Sequence, residues 1–161
     1  MSKISAADVK KLRDMTGAGM MDCKKALNEA NGDFEAAIEY LRKKGQKLSE
    51  KRADREASEG VVLAKIDHNR NNGVVLRLSC ETDFVAKNDD FVKLADSFAD
   101  IALKELPNTL EDLLSSEYED GMSIGEKVTE QIGVIGEKLE LSDYHKIETK
   151  AGEGQVLPYI H

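Results

Sequence analysis

A chain of 161 residues with 34% charged and 40% hydrophobic side chains can bury a core as one or two globular domains, which excludes the disordered and fibrous classes. No run approaches the roughly 18 apolar residues of a membrane helix, and the N-terminus lacks an apolar signal core, so a cytoplasmic protein without a membrane partner is expected. The net charge of −8 is uneven, +4 over residues 1–55 and −12 over residues 56–161; an acidic body argues against direct nucleic-acid binding, whereas a basic first third can steer the chain to an acidic partner surface.

The spacing predicts a first helix over residues 5–15, with Ser5 as N-cap, Asp8 as an imperfect capping partner, and Val9 and Leu12 on one face. Thr16-Gly17-Ala18-Gly19 reads as a turn. A second helix runs over 20–30 with Cys23, Ala26, Leu27 and Ala30 inward, and Asn31-Gly32-Asp33 supplies a stop and a fresh N-cap. Phe34, Ala37, Ile38 and Leu41 form the buried stripe of a third helix. Its last turn carries Arg42, Lys43 and Lys44, and Gly45 ends it. Residues 1–45 thus read as a three-helix module and residues 46–59 as a charged, exposed helical connector.

From residue 60 the pattern changes to an α+β core with a mainly antiparallel sheet, expected to extend to residue 161. Val61–Ile66 reads as a strand, Asp67–Gly73 as a turn closing on Asn-Gly, and Val74–Cys80 as a strand with Val74, Leu76, Leu78 and Cys80 on the buried face. Asp89-Asp90 is expected to cap a long helix with Phe91, Leu94, Ala95, Phe98, Ile101 and Ala102 inward and Pro107 beyond its end. A short helix over 109–115 follows. Ser123 and Glu126 have capping-box spacing for a helix with Val128, Ile132 and Ile135 inward, and strands are expected over 138–148 and 155–161.

Catalytic chemistry has no foothold in the pattern. Gly17-Ala18-Gly19 follows a helix rather than a strand and lacks the lysine–serine pair of a phosphate loop. Cys23 and Cys80 read as free thiols, and His68, His145 and His161 are too scattered for a zinc site. Two features exceed what folding needs. Met20 and Met21 are adjacent on a helix, so both cannot enter one narrow core and at least one is expected outside. Asp83-Phe84 stands where a strand turns into a helix, with two readings open: Asp83 caps the helix and Phe84 enters the core, or Phe84 projects as a wedge beside a carboxylate.

The run from Leu12-Arg13 through Thr16-Gly17-Ala18-Gly19-Met20-Met21-Asp22-Cys23-Lys24-Lys25-Ala26-Leu27 to Asn31-Gly32-Asp33 resembles the start of bacterial elongation factor Ts. Thr82-Asp83-Phe84-Val85-Ala86-Lys87-Asn88 resembles that family's other signature, and the Tyr159-x-His161 ending is similar to a family strand. The resemblance covers essentially the whole chain. It implies a translation elongation factor, not an enzyme and without a cofactor, that exchanges guanine nucleotide on elongation factor Tu. The N-terminal module would resemble ubiquitin-associated domains and dock on the partner's GTPase domain through Arg13, Met20 and Met21. The tip Thr82, Asp83, Phe84 and Val85 would enter near the partner's magnesium site, with Phe84 as the wedge and Asp83 beside it, while Val85 and Cys80 point back to the scaffold. Family members continue past this histidine, so a fragment lacking the C-terminal region is expected, with the oligomeric state open. The alternatives are a ubiquitin-associated-type adaptor that binds without exchange and, third, an enzyme whose residues converge only in the fold.

Overall fold

In the computed structural model, which describes residues 4–159, Ser5 starts the first helix, α1 (Ala6–Thr16), by a reciprocal exchange. Its Oγ accepts from Asp8 N–H at 3.1 Å, and the Asp8 carboxylate accepts from Ser5 N–H at 3.0 Å. The shorter aspartate therefore completes the capping box that usually takes glutamate. Gly17, at φ 70°, closes α1 in the left-handed conformation that a Cβ would penalise. Helix α2 (Met20–Glu29) follows, and Asp33 caps α3 (Phe34–Arg52) through Ala36 N–H. Val9, Leu12, Ala18, Cys23, Ala26, Leu27 and Ala37 form the buried centre, with Phe34, Ile38 and Leu41 half-buried around it.

The α+β region begins with β1 (Glu59–Ile66) and β2 (Asn72–Cys80), joined by a turn in which the Asp67 carboxylate accepts from the N–H groups of Asn71 and Asn72 at 2.9 and 3.2 Å. Then come α4 (Asp83–Ala86), α5 (Asp89–Glu105), α6 (Leu110–Ser115), β3 (Glu117–Glu119), β4 (Met122–Ser123), α7 (Ile124–Ile135) and β5 (Leu139–Glu148). The main sheet has the order β1-β2-β5, antiparallel throughout. Val74, Leu76, Leu78 and Cys80 are buried, as their alternation predicts. Ser79 breaks the pattern. It is buried too, and its hydroxyl meets Ser142 Oγ at 2.8 Å, where a bulge in β5 leaves Ser142 between the partners of Arg77 and Leu78. Helix α5 packs on β1 and β2 with Phe91, Leu94, Ala95, Phe98, Ala99 and Ala102 buried. Lys65 of β1 adds ion pairs to Asp96 (2.9 Å) and Asp100 on the same helix.

Four local expectations change. Asn88, not Asp89-Asp90, caps α5: its Oδ1 accepts from Asp90 and Phe91 N–H, leaving the two aspartates in the first turn where the helix dipole favours them. A small β3–β4 hairpin appears across Asp120 (φ 48°) and Gly121 (φ 76°), the two left-handed residues of a tight turn that an Asp-Gly pair favours. Residues 155–159 form no strand. Val156 N–H donates instead to Arg70 carbonyl at 2.7 Å, and Pro158 has no N–H for a ladder; Ile160 and His161 of the expected strand lie outside the described residues.

The fourth change concerns Gly45, which does not end α3. The helix runs through it to Arg52, so the first half of the expected connector is the continuation of α3. Contacts divide the chain into two units, one taking residues through Arg55 with Thr129–Lys138, the other Glu56–Val128 with the chain from Leu139. Within the helical unit, Gly45 is buried against the C-terminal turns of α7. A Cβ on Gly133 would lie 2.8 Å from Gly45 Cα, and one on Gly45 would lie 3.1 Å from Thr129 carbonyl oxygen. The glycine marks a close helix crossing, and the backbone contact offsets the roughly 1 kcal/mol that a mid-helix glycine costs. Lys138 Nζ reinforces the end of α3 by donating to the carbonyls of Ala53 and Arg55 at 2.8 and 3.0 Å. Gly133→Ala should therefore destabilise the protein by about 1–3 kcal/mol through overpacking, despite alanine's better helix propensity. Urea unfolding measures this; an unchanged or raised midpoint would remove the crossing.

Candidate functional site

The tip begins where β2 runs out. Cys80 is buried, pairs with Glu59 on one side and Leu139 on the other, and donates its thiol to the Thr82 carbonyl at 3.2 Å. Thr82 is extended (φ −124°, ψ 152°), and its hydroxyl accepts from Val85 N–H at 3.4 Å. Thr82, rather than Asp83, is thus the N-cap of α4. The single turn is closed by Ala86 N–H on Thr82 carbonyl (3.2 Å) and Lys87 N–H on Asp83 carbonyl (3.0 Å). One residue later Asn88 starts α5. A helix of one turn is not stable alone; this one is held between a central strand and a long buried helix, and it packs on β1, β2 and α5.

That clamp decides where the four tip side chains go. Val85 is half-buried, consistent with a structural role. Phe84 is 84% exposed, so the reading in which it enters the core is removed. Asp83, at the first helical position, is free of capping duty, and its Oδ2 accepts from Lys87 Nζ at 2.7 Å. The Lys87 ammonium, by hydrogen bond and then by charge, holds the Asp83 carboxyl below its ordinary value, and Asp83 in return raises Lys87. Sequence reasoning gave Lys87 no role, although the Asp-x-x-x-Lys spacing on a helical turn signals such a pair.

The second set of residues belongs to the helical unit. The Thr16–Gly19 turn is pinned by Thr16 Oγ1 donating to Leu12 carbonyl at 2.8 Å, by Ala18 N–H on Thr16 Oγ1 at 3.3 Å, and by the Cys23 thiol on Ala18 carbonyl at 3.5 Å. Burial pushes the Cys23 thiol pKa up, which keeps it protonated and able to donate. With Cys23, Ala26 and Leu27 committed inward, both methionines are left outside, Met20 45% and Met21 76% exposed. Arg13 is exposed on α1, and so is Met15, to which sequence reasoning gave no role. Arg13, Met20 and Met21 thus lie around one rigid turn, whereas Thr82–Val85 belong to the other unit.

Among the described residues, no group of three or more histidine, cysteine or acidic side chains could hold a metal ion, and no helix is long and apolar enough to cross a membrane. What the described residues expose is an aromatic ring next in sequence to a paired carboxylate, and Met20 and Met21 at the start of α2 with Arg13 in the last turn of α1.

A family model described as Elongation factor TS matches residues 81–161, beginning at the tip. The chain is similar to elongation factor Ts of Christiangramia forsetii, 57% identical over 161 residues, covering 100% of this chain and 56% of that protein. Similarity to elongation factor Ts of Flavobacterium psychrophilum is 53% over 148 residues (92% of this chain, 53% of the relative), and to that of Amoebophilus asiaticus 49% over 158 residues (98% and 55%). The chain spans about half the length of the curated relatives it matches.

Phe84→Ala should leave the unfolding free energy within about 0.5 kcal/mol of wild type, whereas Phe98→Ala should cost about 3–5 kcal/mol; urea titration of both variants checks the contrast. Because its folded-state pKa is depressed, the Asp83–Lys87 pair stabilises the turn above the ordinary carboxylate value of 3.8 and is lost as pH falls through the lower folded value. Carbon-13 titration should place the Asp83 midpoint below 3.8, and a midpoint at or above it would show that the pair does not form in solution.

Proposed function

Because the chain belongs to the elongation factor Ts family, we propose that it promotes release of GDP from elongation factor Tu in the cytoplasm, by binding and without making or breaking a covalent bond. The observation that carries this reading is Phe84: a large apolar ring, 84% exposed, on a one-turn helix whose ends are capped and whose base is a central strand. Exposing such a ring forfeits roughly 1.5–3 kcal/mol of burial. A rigid mount lets it wedge between neighbouring elements of a partner without a prior cost of ordering.

In this reading the helical module, similar to ubiquitin-associated domains, docks on the GTPase domain of elongation factor Tu through Arg13, Met20 and Met21. Methionine side chains adapt to the surface they meet, and the arginine adds a charged contact at the rim. The tip of Thr82, Asp83, Phe84 and Val85 then enters near the magnesium site, with Thr82 capping the turn, Val85 seating it, Phe84 wedging and Asp83 lying beside the ring. Nucleotide affinity in GTPases rests heavily on magnesium and phosphate contacts, so a geometry that cannot coexist with an ordered magnesium site loosens GDP. Linkage makes the effect reciprocal: the factor by which bound GDP weakens the complex is the factor by which the complex weakens GDP. No active site is required.

A second reading has its own support. The helical unit carries its own buried centre and its exposed methionines independently of the tip, as an adaptor that binds without exchange would. Release of labelled GDP from elongation factor Tu separates the two. Acceleration that rises with chain concentration to a plateau is expected; binding without acceleration would favour the adaptor, and no acceleration at any concentration would remove the exchange reading. Phe84→Ala should lower the plateau rate by about tenfold or more, the loss of an aromatic hot spot worth at least about 1.4 kcal/mol. Replacing Met20 and Met21 together by alanine should raise the half-saturating concentration about tenfold. An unchanged value would move the docking surface elsewhere.

A further inference from the structure

Helix α4 is one turn long and capped at both ends, so its backbone has little freedom to re-aim a side chain. The direction of the Asp83 carboxylate is left to its own torsions, for which three staggered χ1 wells exist. In the structure the largest hold on it is Lys87, whose Nζ lies 2.7 Å from Oδ2, with smaller contributions from the N–H groups of Asp83 and Phe84. The order, acid four residues before base, is the favourable one on a helical turn. The Lys87 side chain is 76% exposed, so it commits little of its length to packing.

We infer that Lys87 is a positioning residue for the exchange tip: it selects the conformer in which Asp83 is presented beside Phe84 and cancels the carboxylate's charge during approach. The inference rests on the reading of Thr82–Val85 as that tip. A bare carboxylate moving toward a bound nucleoside diphosphate meets like charge, and such repulsion slows docking and misdirects it. The Asp83–Lys87 pair carries no net charge. The Lys87 side chain is 76% and the Asp83 side chain 49% exposed, so the pair is weak enough to open when the partner supplies another donor for Asp83. An exposed pair of this kind orients and shields without locking.

The test compares GDP release from elongation factor Tu for the wild-type chain, Lys87→Met, Lys87→Arg, Asp83→Asn and the Lys87→Met/Asp83→Asn double variant, with Phe84→Ala as the control for the tip itself. Lys87→Met should lower the plateau rate about two- to threefold, the size an exposed i,i+4 pair supplies, and raise the half-saturating concentration by a similar factor because approach is slowed, with the unfolding midpoint close to wild type. Lys87→Arg should restore the rate, since it renews the charge and the donor. In the Asp83→Asn background, Lys87→Met should add nothing, because a residue acting through Asp83 has nothing left to position. An equal loss in both backgrounds would show that Lys87 contacts the partner on its own account and would overturn the inference. So would a wild-type rate for Lys87→Met alongside a slow Phe84→Ala, and in that case the tip reading would stand. If Phe84→Ala also exchanged at the wild-type rate, the tip reading would fall and the inference with it.

Discussion

The seating of β2 between β1 and β5 is the constraint on which the rest depends. A strand paired on both edges cannot slide without breaking two ladders and turning its buried side chains to the other face. Cys80, the last residue of β2, is therefore a fixed point, paired with Glu59 and Leu139. From that point Thr82 and Asn88 cap two helices within seven residues, and the turn between them inherits the position of the sheet. Helix α5 completes the mount by burying Phe91 and Phe98.

The two phenylalanines Phe84 and Phe98 show how the chain separates buried packing from exposed apolar surface. Phe98 is fully buried and meets Tyr118 edge to face at 5.5 Å, where each ring gains packing and quadrupole energy. Phe84, of the same chemistry, is left in water at a position the scaffold cannot relax. The helical unit repeats the division: Cys23, Ala26 and Leu27 hold the core so that Met20 and Met21 stay outside. In both places the exposed apolar groups follow directly on a pinned turn, so their directions are set before any partner arrives.

Much of this was legible because it is local. The helix starts at Ser5, Asp33 and Ser123 follow from side chains within three residues of the amides they satisfy, and the alternation over Val74–Cys80 reports one buried face. Legibility failed where a residue's role depends on something distant. Gly45 carries the local signature of a helix end, yet it is a crossing point, because Gly133, 88 positions away, approaches its backbone. Ser79 occupies a polar position of the alternation, yet it is buried, because a bulge in β5 brings Ser142 to its hydroxyl. The hairpin at Asp120-Gly121 and the Asp83–Lys87 pair are different failures: each had a local signal, a turn dipeptide and an i,i+4 spacing, that went unused.

The residues alone determined most of the element types, the antiparallel pairing of the first two strands and, through two long motifs, the family. Each of these rests on interactions within a few residues or on pattern. They left Phe84 with two fates: burial is the commoner one for a phenylalanine, and only the resemblance of its motif pointed outward. Only the tertiary structure decided it. With Thr82 supplying the cap and Val85 half-buried, the one-turn helix leaves Phe84 84% exposed.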